Sequence, residues 1–273
     1  HDRERFKIGA YVYSESDVKN QPLQQSLSEQ QIQVLQNAGD DPSLMQASSA
    51  FVDTYSENKI LYRKMVVGGS EVFVFSTDAT QTLYQVKFSL IGNNQGNYIL
   101  ASSNAIGKIY EYIAPVNGVP QGNYEPIIQL IAPIKIQVAT LVSSYQPTEK
   151  TTFESEIAIS NHDLNLYSNL DDNNNKGIAT KLHAKQQFKT PQFTFNAFTN
   201  VNYVQENFKP IERLYNIEFN RDWNILNPTG NQSLIIGGVD FFKNKSDSIK
   251  WIVNGKYQFE KLDYSNNFSG SKQ

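Results

Sequence analysis

The densest group of hard oxygen donors in this sequence is the stretch NHDLNLYSNLDDNNNKG, where Asp163, Asp171, Asp172, Asn173 and Asn175 carry the carboxylates and amides that calcium prefers. The spacing does not fit the twelve-residue calcium loop of helix–loop–helix proteins. Counted from Asp171, the glycine position is Lys176 and the last ligand is Leu182; counted from Asp172, Gly177 fits but the last ligand is His183. Clustered Asn and Asp are also turn formers, so the reading set against calcium is a solvated hairpin loop. Glu154 and Glu156 stand two apart in a strand-like run and therefore share a face. A glycosidase places its two carboxylates on either side of the scissile bond, usually on different strands, so the pair reads better as a polar stripe. Of the histidines, His1 is terminal while His162 and His183 flank the Asn-rich stretch, a poor basis for a triad or a zinc site. No phosphate-binding glycine motif occurs, and no catalytic or cofactor-binding residue is assigned.

Three aromatics, Trp223, Trp251 and Tyr257, are candidates for a surface or interface role; Trp223 could stack on a sugar, but reads better as an interfacial or core ring. The bulk properties narrow the classes further. Lys and Arg total 24 against 27 Asp and Glu over 273 residues, so no basic field points to nucleic acid. Cysteine is absent, which excludes disulfides, thiolate metal sites and cysteine nucleophiles. No apolar run approaches the length of a membrane helix, and the start HDRERFKIGA is not a signal peptide. Export would therefore require a signal outside this chain.

The elements that must position these residues are mostly strands. One helix is signalled at about 29–38, where Ser28 and Gln31 have capping-box spacing, Gly39 is placed to end the helix, and Pro42 forbids continuation. Residues 5–13, 71–76 and 82–91 are rich in aromatic and β-branched residues and read as strands. QGNY occurs at 95–98 and again at 121–124, and Ile-Ala-Pro ends apolar runs at Pro115 and Pro133. Gly-Asn signals a turn and Pro interrupts a ladder, so the repeat predicts two similar strand–turn passages, with Gly96 and Gly122 in turns or bulges at positive φ.

From about residue 151 six strand candidates follow one another, including 192–204, 213–225 and 249–264. In the first of these Phe193, Phe195, Ala197, Thr199, Val201 and Tyr203 oppose Thr194, Asn196, Phe198, Asn200 and Asn202. In the last, Trp251, Val253, Tyr257 and Phe259 oppose Lys250, Asn254, Lys256 and Glu260. Alternation this long exceeds the ordinary strand of roughly five or six residues. The fold class expected is mostly β and antiparallel. A β-rich domain at 1–147 precedes a meander at 148–273 that is either part of a barrel or an extended sheet.

The strings YSESDVKNQPL, LQNAGDD, QGNYEPI, SEIAISNHDLNLYSNLDDNNNKG and ERLYNIEFNRDWN resemble those of large β-rich cell-envelope proteins of Bacteroidota. That resemblance implies export, location in the outer membrane or at the cell surface, and often a barrel toward the C-terminal side of a longer chain. It carries no catalytic residue. The expected partners are the outer membrane or other envelope proteins, and the expected role is non-enzymatic: structural, assembly or transport. A second reading is a soluble β-sandwich that binds glycan or protein through its loops, and a third is a carbohydrate-active enzyme. What covers the apolar faces of the long strands discriminates the first two.

Overall fold

The computed structural model describes residues 5–19, 26–244 and 253–273. The chain is mostly antiparallel β. In order, the strands are β1 (Phe6–Ser16), β2 (Gln46–Ser48), β3 (Phe51–Asp53), β4 (Tyr62–Val67), β5 (Ser70–Phe75), β6 (Leu83–Gln85), β7 (Ser89–Leu90), β8 (Tyr98–Ser103) and β9 (Lys108–Tyr112). They continue with β10 (Tyr124–Glu125), β11 (Ile127–Gln129), β12 (Lys135–Thr148), β13 (Thr151–Asp163), β14 (Lys176–Lys189), β15 (Phe193–Val204), β16 (Gln232–Lys243), β17 (Asn254–Tyr264) and β18 (Phe268–Lys272). The helices are α1 (Glu29–Ala38) and the single turn α2 (Phe219–Asp222). The chain divides into two compact units, His1–Gln21 with Pro133–Gln273, and Pro22–Ala132.

The first unit is one open sheet of eight strands in the order β1-β12-β13-β14-β15-β16-β17-β18, not a closed barrel. From β12 onward each strand pairs with its sequence neighbour, which is what alternating sequences joined by tight turns favour. Thr148 and Thr151 face each other across the two-residue Glu149–Lys150 turn, their hydroxyls 2.8 Å apart. β1, which precedes the second unit in sequence, pairs with β12, in register from Phe6 opposite Tyr145 to Ser16 opposite Lys135. The expected boundary at 147/148 therefore falls inside the β12–β13 hairpin, and the unit boundary lies at Ala132/Pro133. Pairing across strands defines this unit, and sequence proximity does not reveal it.

The second unit is built from short strands around aromatic rings. Tyr62, Phe73, Phe88 and Tyr98 form its buried cluster, with Tyr84, Tyr110, Tyr112 and Tyr124 packed against them. The hydroxyls of the two buried tyrosines are used: Phe73 N–H donates to Tyr98 Oη at 2.7 Å, and Tyr110 N–H donates to Tyr62 Oη at 2.9 Å. Burial pushes the Tyr98 hydroxyl pKa up to about 12. α1 has both halves of its capping box, Gln31 N–H to Ser28 Oγ at 3.3 Å and Ser28 N–H to Gln31 Oε1 at 2.9 Å. It buries Leu35 and Ala38 and packs on the Pro42–Leu44 turn and β2.

Two strand expectations are corrected. Residues 82–91 form two short strands, β6 and β7, because Phe88 between them turns into the aromatic cluster. Residues 213–225 contain no strand: the described chain there folds into α2 and its flanking turns. Phe219 opens α2, with Tyr215 in the bend before it and Trp223 just after its last residue. Tyr215 stacks on Phe219 with ring centroids 4.2 Å apart, and Phe219 lies 6.4 Å from Trp223. Residues 249–252 of the last expected strand, Trp251 among them, lie outside the described residues, and β17 begins at Asn254.

Candidate functional site

The feature of the first unit with functional content is the contrast between the two faces of its sheet. Residues directly opposite across an antiparallel pair share a face, so register fixes each row. One row runs Phe6–Tyr145–Phe153–Ala184–Thr199. The next runs Ile8–Ser143–Ser155–Leu182–Val201–Ile235 and ends toward the β17 side on Lys261, which pairs with Asp263 at 3.3 Å on the same face. Two further rows bring Leu141, Ile157 and Tyr203, then Val12, Ile159 and Ile178, to the same side. Leu182 is 50% exposed, Ile157 43% and Val12 80%, so this apolar surface stands open. Toward the other end of the strands Phe188, Phe195 and Phe241 lie in one row, with Phe193 6.1 Å and Phe241 6.1 Å from Phe195. A contiguous exposed apolar surface of this kind marks an interaction face.

The opposite face is polar. One row is Lys7–Ser144–Glu154–His183–Asn200 and the next is Gly9–Val142–Glu156–Lys181–Asn202. His183 Nδ1 lies 2.5 Å from Asn200 Oδ1. A cleft of about 410 Å³ opens here, lined by Lys7, Ser144, Glu154, Glu156, Lys181 and His183 among others. Glu154 and Glu156 are thus on one face, as the alternation predicts, but both are exposed and have His183 and Lys181 opposite them. The arrangement is a mixed-charge stripe.

Residues 205–231 cross part of this polar face as a strap. Lys209 N–H donates to Ser160 Oγ at 3.0 Å, and the Phe208 backbone lies against Gly177 so closely that a Cβ there would meet Phe208 N at 2.2 Å. Further along, Trp223 is buried with Leu234 and Leu262, and Phe268 meets it edge-on at 6.5 Å. Lys272 Nζ sits 4.0 Å from the indole centroid. Burial pushes the Tyr215 hydroxyl pKa up to about 12, while hydrogen bonds to Asn202 and Gln232 act the other way. Trp223, expected as an interfacial or core ring rather than a sugar platform, is a buried anchor at 7% exposure. Tyr257, by contrast, is 59% exposed on the apolar side, opposite Val239.

The oxygen-rich stretch is the β13–β14 connection. Asp163 Oδ1 accepts Asn165 N–H at 3.0 Å, and Asp172 Oδ1 accepts Asn175 Nδ2 at 2.9 Å. Asp171 adopts φ 66, and Asp172 and Asn173 lie in the single turn Asp172–Asn174. Asn175, expected in an exposed loop, is buried because its carbonyl accepts His162 N–H at 2.8 Å where the hairpin closes. Among the described residues no three His, Asp or Glu side chains converge as a metal site. The strap and the basic side of the stripe, Lys7 and Lys181, are not evident in the sequence. The four-residue spacing of Tyr215, Phe219 and Trp223 was the available signal for the strap.

Connections differ at the two ends of the sheet. At one end lie 149–150, 190–192 and 244–253, the last mostly outside the described residues. At the other lie 17–134, 164–175, 205–231 and 265–267, so the whole second unit is inserted at the end with long connections. Comparison of the chain with protein-family models, with curated proteins and with solved structures gives no match.

Proposed function

We propose that the eight-stranded sheet is wall of an outer-membrane β-barrel, and that the chain is a non-enzymatic envelope protein carrying the second unit at the long-connection end of that wall. The observation that carries this reading is the single-layered sheet with one exposed apolar face and one polar face. Three features support it further. The strands from β1 and β12 to β17 have 11 to 14 residues, against roughly 9–11 needed to cross a bilayer. On β14 the apolar side runs from Ile178 to Phe188, which at ~3.3 Å per residue and a tilt of ~40° gives a band roughly 25 Å tall. The connections at one end include the long 164–175 and 205–231, and two of the three at the other, 149–150 and 190–192, are short turns, an asymmetry in the direction usual for such barrels.

A sheet edge is not tolerated in lipid, so β1 and β18 pair with further strands in the membrane on this reading. The resemblance of the sequence to Bacteroidota envelope proteins agrees with it. A soluble sandwich would bury Leu182, Ile157 and Ile159 beneath a second sheet, and these side chains are exposed. The test is flotation. Refolded with liposomes, the protein is expected to rise with the lipid through a density gradient and resist alkaline extraction; a protein that remains soluble without detergent and stays at the bottom contradicts the proposal.

A further inference from the structure

We propose that the polar face lines a solute passage narrowed by the 205–231 strap, and that Lys7, Lys181, Glu154 and Glu156 on the uncovered half set its charge selectivity. The inference rests on the barrel-wall reading, since only a closed wall turns a polar face into a lumen.

The strap is fixed at several points. At β13 and β14 it is held by the Lys209–Ser160 hydrogen bond and the Phe208–Gly177 contact. At β16 to β18 it is held by Trp223, packed on Leu234 at 4% and Leu262 at 0% exposure and capped by Lys272. Ser160 and Gly177 stand opposite each other on this face, Leu234 and Leu262 lie in its row Glu156–Lys181–Asn202–Leu234–Leu262–Gly270, and Lys272 stands opposite Glu260 on it. Leu234 and Leu262, apolar members of that row, are buried where Trp223 of the strap packs on them. An anchored connection of this kind narrows the bore permanently. What remains open is the cleft of about 410 Å³ beside Lys7, Glu154, Glu156 and Lys181. Charges lining a narrow path select ions by sign, because the low-dielectric wall concentrates their field there.

The test uses the full-length protein purified from membranes and reconstituted in planar bilayers with a potassium chloride gradient, after flotation has shown that it inserts. Lys7→Glu combined with Lys181→Glu is expected to change the potassium-to-chloride permeability ratio roughly twofold or more in favour of potassium. Lys176→Glu, the same change on the opposite face of β14, is expected to leave the ratio alone. Replacing 210–227 by a short Gly-Ser linker should raise conductance several-fold, and Trp223→Ala, which keeps the strap but removes its anchor, should raise it or make it noisy. A protein that inserts but conducts nothing, or whose ratio and conductance ignore these changes, overturns the passage while leaving the wall reading standing. A protein that does not insert removes both.

Discussion

Gly96 and Gly122 exchange both of their backbone hydrogen bonds: Gly96 N–H donates to the Gly122 carbonyl at 3.0 Å, and Gly122 N–H to the Gly96 carbonyl at 2.7 Å. The duplicated QGNY therefore pairs with itself, and Tyr98 stands opposite Tyr124 beside it. Neither glycine is at positive φ, contrary to expectation. The requirement is space: a Cβ on Gly96 would lie 2.4 Å from the Tyr124 carbonyl oxygen, and one on Gly122 would lie 2.4 Å from that of Tyr98. Each copy of the motif forbids a side chain on the other.

Gly96→Ala and Gly122→Ala should consequently each destabilise the second unit by about 2–3 kcal/mol, since the obstructing atoms are backbone and cannot rotate away. Gly237→Ala, where a Cβ meets only the Phe198 carbonyl at 4.0 Å, should change stability by less than about 0.5 kcal/mol. Urea midpoints of the three variants decide it. Equal midpoints for Gly96→Ala and Gly237→Ala would contradict the close-approach account.

Glu125 gives the second unit a pH dependence with a definite sign. Burial raises its carboxyl pKa above the ordinary 4.5, although Asn97 N–H and Nδ2 both donate to Oε1 at 2.8 Å and oppose the shift. In the window between 4.5 and the raised value the folded form holds the proton more tightly than the unfolded chain. The contribution of Glu125 to stability is thus fully present below 4.5 and is lost as pH rises through the folded value. Glu125→Gln keeps the acceptor and removes the ionisation. Melting curves across that window should slope less for the variant than for the parent, and an unchanged slope would contradict the assignment.

The Asn-rich β13–β14 connection should fold without metal. Its side chains already serve local turns, Asp163 for Asn165 N–H and Asp172 for Asn175 Nδ2. Melting temperatures with calcium and with chelator are expected to coincide. A rise of several degrees with calcium would point to native-state binding at Asp163, Asp171 and Asp172 instead.

The long strands were legible because their chemistry is written at period two. Phe193 to Val204 alternates strictly, and the register places Phe195, Val201 and Tyr203 on the apolar face with Asn196, Asn200 and Asn202 on the other. Residues 213–225 alternate just as well, yet hold only bends, turns and the short α2, with Tyr215 stacked on Phe219 and Phe219 beside Trp223. Periodicity alone does not separate the two in so short a stretch. The pairing of β1 with β12 was hidden by the length of chain between them, and the need for Gly96 appears only once Tyr124 is beside it. On the polar face, the acidic residues of the stripe stood two apart in sequence, whereas Lys7 and Lys181 reach it from other strands.

The claim that one face of the sheet meets lipid is tested most directly on four consecutive residues of β14. The chain has no cysteine, so single cysteines at Lys181, Leu182, His183 and Ala184 can each carry a nitroxide without background. In liposomes, spin labels at Leu182 and Ala184 should relax with molecular oxygen dissolved in the bilayer and resist a water-soluble nickel chelate. Labels at Lys181 and His183 should show the reverse, because successive strand residues point to opposite faces. Alternation of the two accessibilities along β14 is the predicted result; a chelate that reaches Leu182 and Ala184 as readily as Lys181 and His183 would contradict the membrane wall.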